Sequence, residues 1–231
     1  MKPTISEIKE AYARMGYAYF GGATPYNVNI WGIRKQTGNV DIFDDVLGIT
    51  YMDENDEEII LYHEATVDPG KYYLKNKLLN PKGTFILKPG QYRGCWCKGK
   101  HKSKYKALVQ KTNYTGFLGW RDNLLDGIIQ RKKKSNGEYY DDVTGLNMHR
   151  SGESYSAVVG AHSAGCQVRK INAEHKAIMN IIDKSLKFFG NSFTYTLFDE
   201  IEVFPELANT RSADGNLVKV KKWPDDYMNI E

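Results

Sequence analysis

Cysteine is scarce in this chain of 231 residues, with three copies at positions 95, 97 and 166. An odd, low count argues against a disulfide framework and for reduced thiols. Long apolar runs are missing too. No segment approaches the roughly 20 apolar residues needed to span a bilayer. The stretch Met1-Lys-Pro-Thr-Ile-Ser-Glu-Ile-Lys-Glu has no apolar core after its lysine. No secretory signal is therefore expected, and the chain reads as made in the cytoplasm without membrane contact. No internal repeat is visible, and no linker sets off a second domain.

What is present fits one large domain. Hydrophobic residues make up 41% of the chain, enough for a sizeable core, and 16 tyrosines with several strand-like runs lean toward β structure. The net charge of +4 suits an anionic partner, cell-wall polymer or nucleic acid, without choosing between them.

Ile5, Ile8, Ala11, Tyr12 and Met15 recur at helical spacing and predict a helix over 4–19, capped by Thr4 or Ser6. Strands are expected at 28–34, 45–51 and 58–63, the last two separated by the acidic turn 53–57. Thr84 to Leu87 reads as a short strand between Asn80-Pro81-Lys-Gly83 and Pro89-Gly90. Residues 112–140 read as a long surface insertion. Val143 to Met148 reads as a strand leading to His149, and Val158-Val159 as a strand entering the turn before Cys166. A helix is expected from 172 or 173 to Phe189, stopped by Gly190, followed by a strand over 192–198 and a polar tail.

Chemistry concentrates in two segments. Gly145-Leu-Asn147-Met-His149-Arg150 supplies an imidazole, and His162-Ser163-Ala164-Gly165-Cys166 follows with a thiol 17 positions after it. A thiol nucleophile needs a nearby base and a tight turn offering amide donors to an oxyanion. The small residues 163–165 let backbone approach a ligand closely. Asn147 and His149, two apart on a strand, point to one face.

At these residues the sequence resembles the L,D-transpeptidase catalytic-domain family, whose members carry a His and then a Ser/Thr-His-Gly-Cys turn. A second match lies upstream, where Asn80-Pro81-Lys-Gly83-Thr84-Phe85-Ile86 is similar to the family's Thr-Pro-x-Gly-x-Phe-x strand. The resemblance covers roughly residues 58–170. It implies a mainly β fold with flanking helices (α+β), a sandwich or barrel, with 58–205 as the catalytic domain, 1–57 as its embellishment and 206–231 as the tail. It implies that Cys166 attacks a peptide carbonyl, that His149 is the base, that the Gly165 and Cys166 N–H groups hold the oxyanion, and that Ser163 orients the turn. Arg150, Asn147 and Ala164 are the expected substrate contacts, with Arg121 a further candidate for a carboxylate. The chain departs from the family at Ala164, where a second histidine is usual, at Val168, where Arg or Asn is usual, and at Arg150, where glycine is usual. Gln167 is similar to phage-encoded relatives.

The implied activity is a peptidoglycan peptidase, endolysin-like, reaching the wall after membrane breach and cleaving stem peptides through a thioester. The alternatives are an L,D-transpeptidase proper and a non-catalytic wall-binding or virion structural protein that keeps the fold. The expected state is a monomer without cofactor or nucleic-acid partner. Cys95, Cys97, His101 and His63 are metal-type residues, but their spacing fits no common zinc pattern. His162 is a second candidate base, and the lysines of 98–106 read as a solvated face.

Overall fold

The computed structural model describes residues 2–209. Helix α1 (Ile5–Arg14) begins with a capping box, in which the Thr4 side chain accepts from the Glu7 N–H and the Glu7 carboxylate accepts from the Thr4 N–H. It ends five residues before the expected limit, with Met15 as its C-cap. Its face of Ile8, Ala11 and Tyr12 packs against Trp31, Ile33, Phe198 and Val203.

Eight strands close a barrel. They are β1 (Asn29–Arg34), β2 (Asp45–Met52), β3 (Glu58–Thr66), β5 (Gly90–His101), β6 (Tyr105–Gln110), β8 (Met148–Arg150), β9 (Gln167–Arg169) and β10 (Phe193–Asp199). Their order around the barrel is β1-β10-β5-β6-β8-β9-β3-β2. The β1–β10 and β8–β9 pairs are parallel and the other pairs are antiparallel. Strands β4 (Thr84–Leu87) and β7 (Gly119–Asp122) form a separate antiparallel ribbon. The chain is thus mainly β with a few helices, as expected. Residues 29–52 supply two staves of the barrel, so the amino-terminal quarter is integral to it. The expected tail lies outside the described residues beyond Asn209.

Leu47, Ile49, Trp96, Leu108, Met148, Tyr195 and Leu197 build the main core, with Trp96 stacked on Tyr195 at 4.5 Å between centroids. Helix α3 (Asn172–Phe189) buries Ile178, Met179 and Ile182 in the same cluster, so it is held by its apolar stripe. The short helix α2 (Lys71–Lys75) follows Gly70 and was not anticipated. Among the described residues no helix is long and apolar enough to cross a membrane.

Candidate active site

Strands β8 and β9 set the distance between the thiol and the imidazole. Met148 stands opposite Gln167 and His149 opposite Val168. Cys166 is the residue before β9, so it sits one strand across and two residues back from His149. That offset is roughly 8 Å between Cα atoms, which a thiol and an imidazole can close if they turn to the same side. Both residues line one cleft of about 320 Å³, with Thr84, Phe85, Gly145 and Ala164 among its walls. The expected strand entering the turn is absent. Residues 151–166 form an irregular loop and the strand follows the cysteine instead.

The imidazole is oriented by backbone. His149 Nδ1 lies 2.7 Å from the Arg150 carbonyl oxygen. A carbonyl only accepts, so Nδ1 carries the proton and donates it. The Tyr105 hydroxyl donates to the same carbonyl at 3.2 Å. Nε2 is left as the lone-pair nitrogen, buried and without a protein partner. A basic nitrogen free in this way is what a general base needs.

A second imidazole braces the first. His101 ends β5 and stacks on His149 with centroids 3.8 Å apart and planes 21° from parallel. The Gln110 N–H donates to Asn147 Oδ1 at 2.9 Å, which turns Asn147 Nδ2 toward His101 Nδ1 at 3.2 Å. His101 therefore accepts at Nδ1 and keeps its proton on Nε2.

Burial pushes His149 well below the ordinary 6.5, and the stacked His101 adds to this. Burial also lowers His101 to about 4, helped by Lys102. The Cys166 thiol is pushed above its ordinary 9.0 by burial, while the Asn147 backbone N–H and Lys102 pull it partly back. The resting pair is consequently a neutral thiol and a neutral imidazole.

The turn is held from inside. Ser163 is fully buried; its hydroxyl donates to the Cys166 carbonyl at 2.8 Å and accepts from the Gly165 N–H at 3.1 Å. Ser163 thus ties the turn together from inside. The Gly165 N–H is committed to that hydroxyl, which corrects its expected role at an oxyanion. The Cys166 N–H has no partner among the described residues and is left as the donor. Gly165 has φ +117°, and a Cβ there would sit 2.5 Å from the Phe85 carbonyl oxygen. The two motif segments therefore pack directly on each other.

The substrate candidates separate. Ala164 lines the cleft. Asn147 holds His101 with its side chain and does not line the cleft. Arg150 does not reach the cleft either. Its guanidinium donates to the Gly152 carbonyl, pairs with Glu153 at 2.7 Å and lies 4.1 Å over the Tyr105 ring. The strand alternation that puts His149 on the cleft side of β8 puts Arg150 on the opposite side, shared with the core residue Met148. Arg121 lines the cleft but is pinned to Asp142 at 2.8 Å and to the Gly83 carbonyl at 2.7 Å. His162 lines the cleft and is lowered by burial. His63 is elsewhere, on β3 beside Arg169 at 3.4 Å. Residues 112–140 are more than an insertion, since they carry β7 and part of the wall of a larger cleft. That cleft, of about 800 Å³ between residues 35–45 and 128–137, contains neither cysteine nor histidine.

Sequence reasoning missed His101, Tyr105 and Lys102 as members of the site. The signal was the turn His101-Lys-Ser-Lys-Tyr105, whose lysines were read as a solvated face and whose His101 was read as a metal-type residue. Comparison of the chain with family models, with curated proteins and with solved structures returns no match.

Proposed function

We propose that the chain is a cysteine-dependent peptidase of the L,D-transpeptidase type, acting on peptidoglycan stem peptides with water as the acceptor. The observation that carries this reading is that Cys166 and His149, whose Nε2 has no partner, line one cleft. The contact between Gly165 and Phe85 supports the choice of family, because it joins the two segments on which the resemblance rests. A volume of about 320 Å³ is within the range of ligand clefts.

In this reading Cys166 Sγ attacks the peptide carbonyl as its proton passes to His149 Nε2. The Nδ1–H bond to the Arg150 carbonyl stabilises the imidazolium that forms. The Cys166 N–H faces the developing oxyanion. Collapse breaks the C–N bond, and the leaving amine takes the proton from Nε2. Water then loses a proton to Nε2 and adds to the thioester; Sγ leaves and is reprotonated.

Purified sacculi and muropeptides incubated with the wild type and with Cys166→Ala, followed by mass spectrometry, test this. Shortened stem peptides from the wild type alone are expected. Cross-linked or exchanged products in place of shortened ones would identify a transpeptidase. No turnover, together with no selective acylation of Cys166, would overturn the enzymatic reading.

A further inference from the structure

Lys102 acts on His101 and Cys166 through its charge alone. It sits at the tip of the β5–β6 hairpin, where the Lys104 N–H donates to the His101 carbonyl at 3.0 Å. Lys102 and Ser103 have φ of +48° and +59°. Two consecutive positive φ values define the tight hairpin turn usually built from Asn-Gly. This turn fixes Lys102 immediately after the stacked His101, and Lys102 lines the cleft that holds the thiol.

Lys100 and Lys104 of the same hairpin do not line the cleft, and the other charged or titratable side chains that do line it are paired or neutral. On the same hairpin, Lys98 and Lys106 both pair with Asp183 of α3. Inside the cleft, Arg121 and Asp142 neutralise each other at 2.8 Å. His101, His149 and His162 are all held neutral by burial. Lys102 has no ion pair among the described residues. Its ammonium lowers the proton affinity of Cys166, His149, His101 and His162 together, so its field covers the whole reacting end of the cleft.

We propose that Lys102 is the specificity-determining residue of this cleft and binds a free carboxylate that the acyl donor carries beside the scissile bond. This rests on the reading of Cys166 and His149 as the reacting pair. An ammonium acts as a point charge and takes a single carboxylate without needing the paired geometry of a guanidinium. In a stem peptide that carboxylate comes from the chain terminus or from a side chain. Both sources share the chemistry, and amidation separates them.

The test uses stem peptides with both carboxylates free, with the terminus amidated, or with the side chain amidated. Wild type, Lys102→Met and Lys102→Arg are compared on each. Lys102→Met is expected to raise KM about tenfold or more on the free peptide, the range of a charge-assisted hydrogen bond, with kcat changed far less. Lys102→Arg recovers most of the loss. The amide that abolishes the difference between wild type and Lys102→Met identifies the source of the carboxylate. Equal losses on all three peptides, or no loss on any, overturn the proposal. Calorimetric binding of the free peptide to Cys166→Ala and to Cys166→Ala/Lys102→Met keeps the question separate from turnover. Binding that disappears with the lysine while the wild type cleaves nothing sinks the peptidase reading and keeps the carboxylate site. Equal binding by both overturns the carboxylate site.

Discussion

The neutral resting pair predicts how Cys166 reacts with an alkylating agent. The thiolate, not the thiol, is the nucleophile. A thiol at the ordinary 9.0 is about 1% ionised at pH 7, and burial moves Cys166 upward from there. Its alkylation at pH 7 should be at least about a hundredfold below the alkaline plateau, rising tenfold per pH unit through pH 9. The ordinary values of 9.0 and 6.5 already make proton transfer to His149 about 3.4 kcal/mol uphill before any ion-pair attraction. Burial of both groups widens that gap, because it raises the thiol and lowers the imidazole. His149→Ala should therefore leave the alkylation profile of the resting protein almost unchanged while abolishing turnover. The assay is the rate of iodoacetamide labelling against pH, with peptide mapping to separate Cys166 from Cys95 and Cys97. A reactive plateau between pH 5 and 7 that disappears in His149→Ala would mean a thiolate–imidazolium pair and refute the reasoning.

Gly165→Ala must accept φ +117° and a Cβ 2.5 Å from the Phe85 carbonyl, whereas Gly137→Ala meets φ +83° and nothing within 4 Å. Backbone strain of about 1–3 kcal/mol applies to both, and overpacking adds about 1–3 kcal/mol to the first alone; equal urea midpoints would sink this account. His175 and His101 should each titrate near pH 4 rather than 6.5 by imidazole NMR, because burial penalises their charged forms. His101→Phe keeps a ring against His149 but removes the neighbouring titratable group, so the His149 resonance should titrate at higher pH than in the wild type; no change would show that the stack has no electrostatic effect. Ile182→Ala should cost about 2–5 kcal/mol in denaturant unfolding, since Ile182 is fully buried in the main core.

Much of the fold was legible because local patterns survive in it. The stripe Ile178, Ile182 and Leu186 gave helix α3 to within a residue, and Thr84–Leu87 was read without error. Strand β5 was not legible. It runs from Gly90 to His101 through Gly94 and Gly99, and its alternation is broken by Cys95 and Trp96, which are both buried. β7 was hidden for a similar reason, since all four of its residues are buried against neighbours that the sequence does not name. Closure of the barrel rests on β1–β10 and β8–β9, parallel pairs that join residues far apart in sequence or across an irregular loop. No local period encodes such pairs.

The same argument explains which parts of the site could be found. Cys166, Ser163 and Gly165 are neighbours in sequence, and their relation is written in one tight turn. His149 is reached through a single strand pair. His101 belongs to the site only because three separate contacts agree: the hairpin register that ends β5 at His101, the Gln110 N–H that orients Asn147, and the Asn147 amide that orients His101. Each is ordinary as a sequence feature, and none predicts the others. Their conjunction puts a neutral ring 3.8 Å from the His149 ring and a lysine one residue further on. The electrostatics of the cleft therefore depend more on the β5–β6 hairpin than on the cysteine turn. Changes in that hairpin should alter what the cleft accepts before they alter whether its thiol can react.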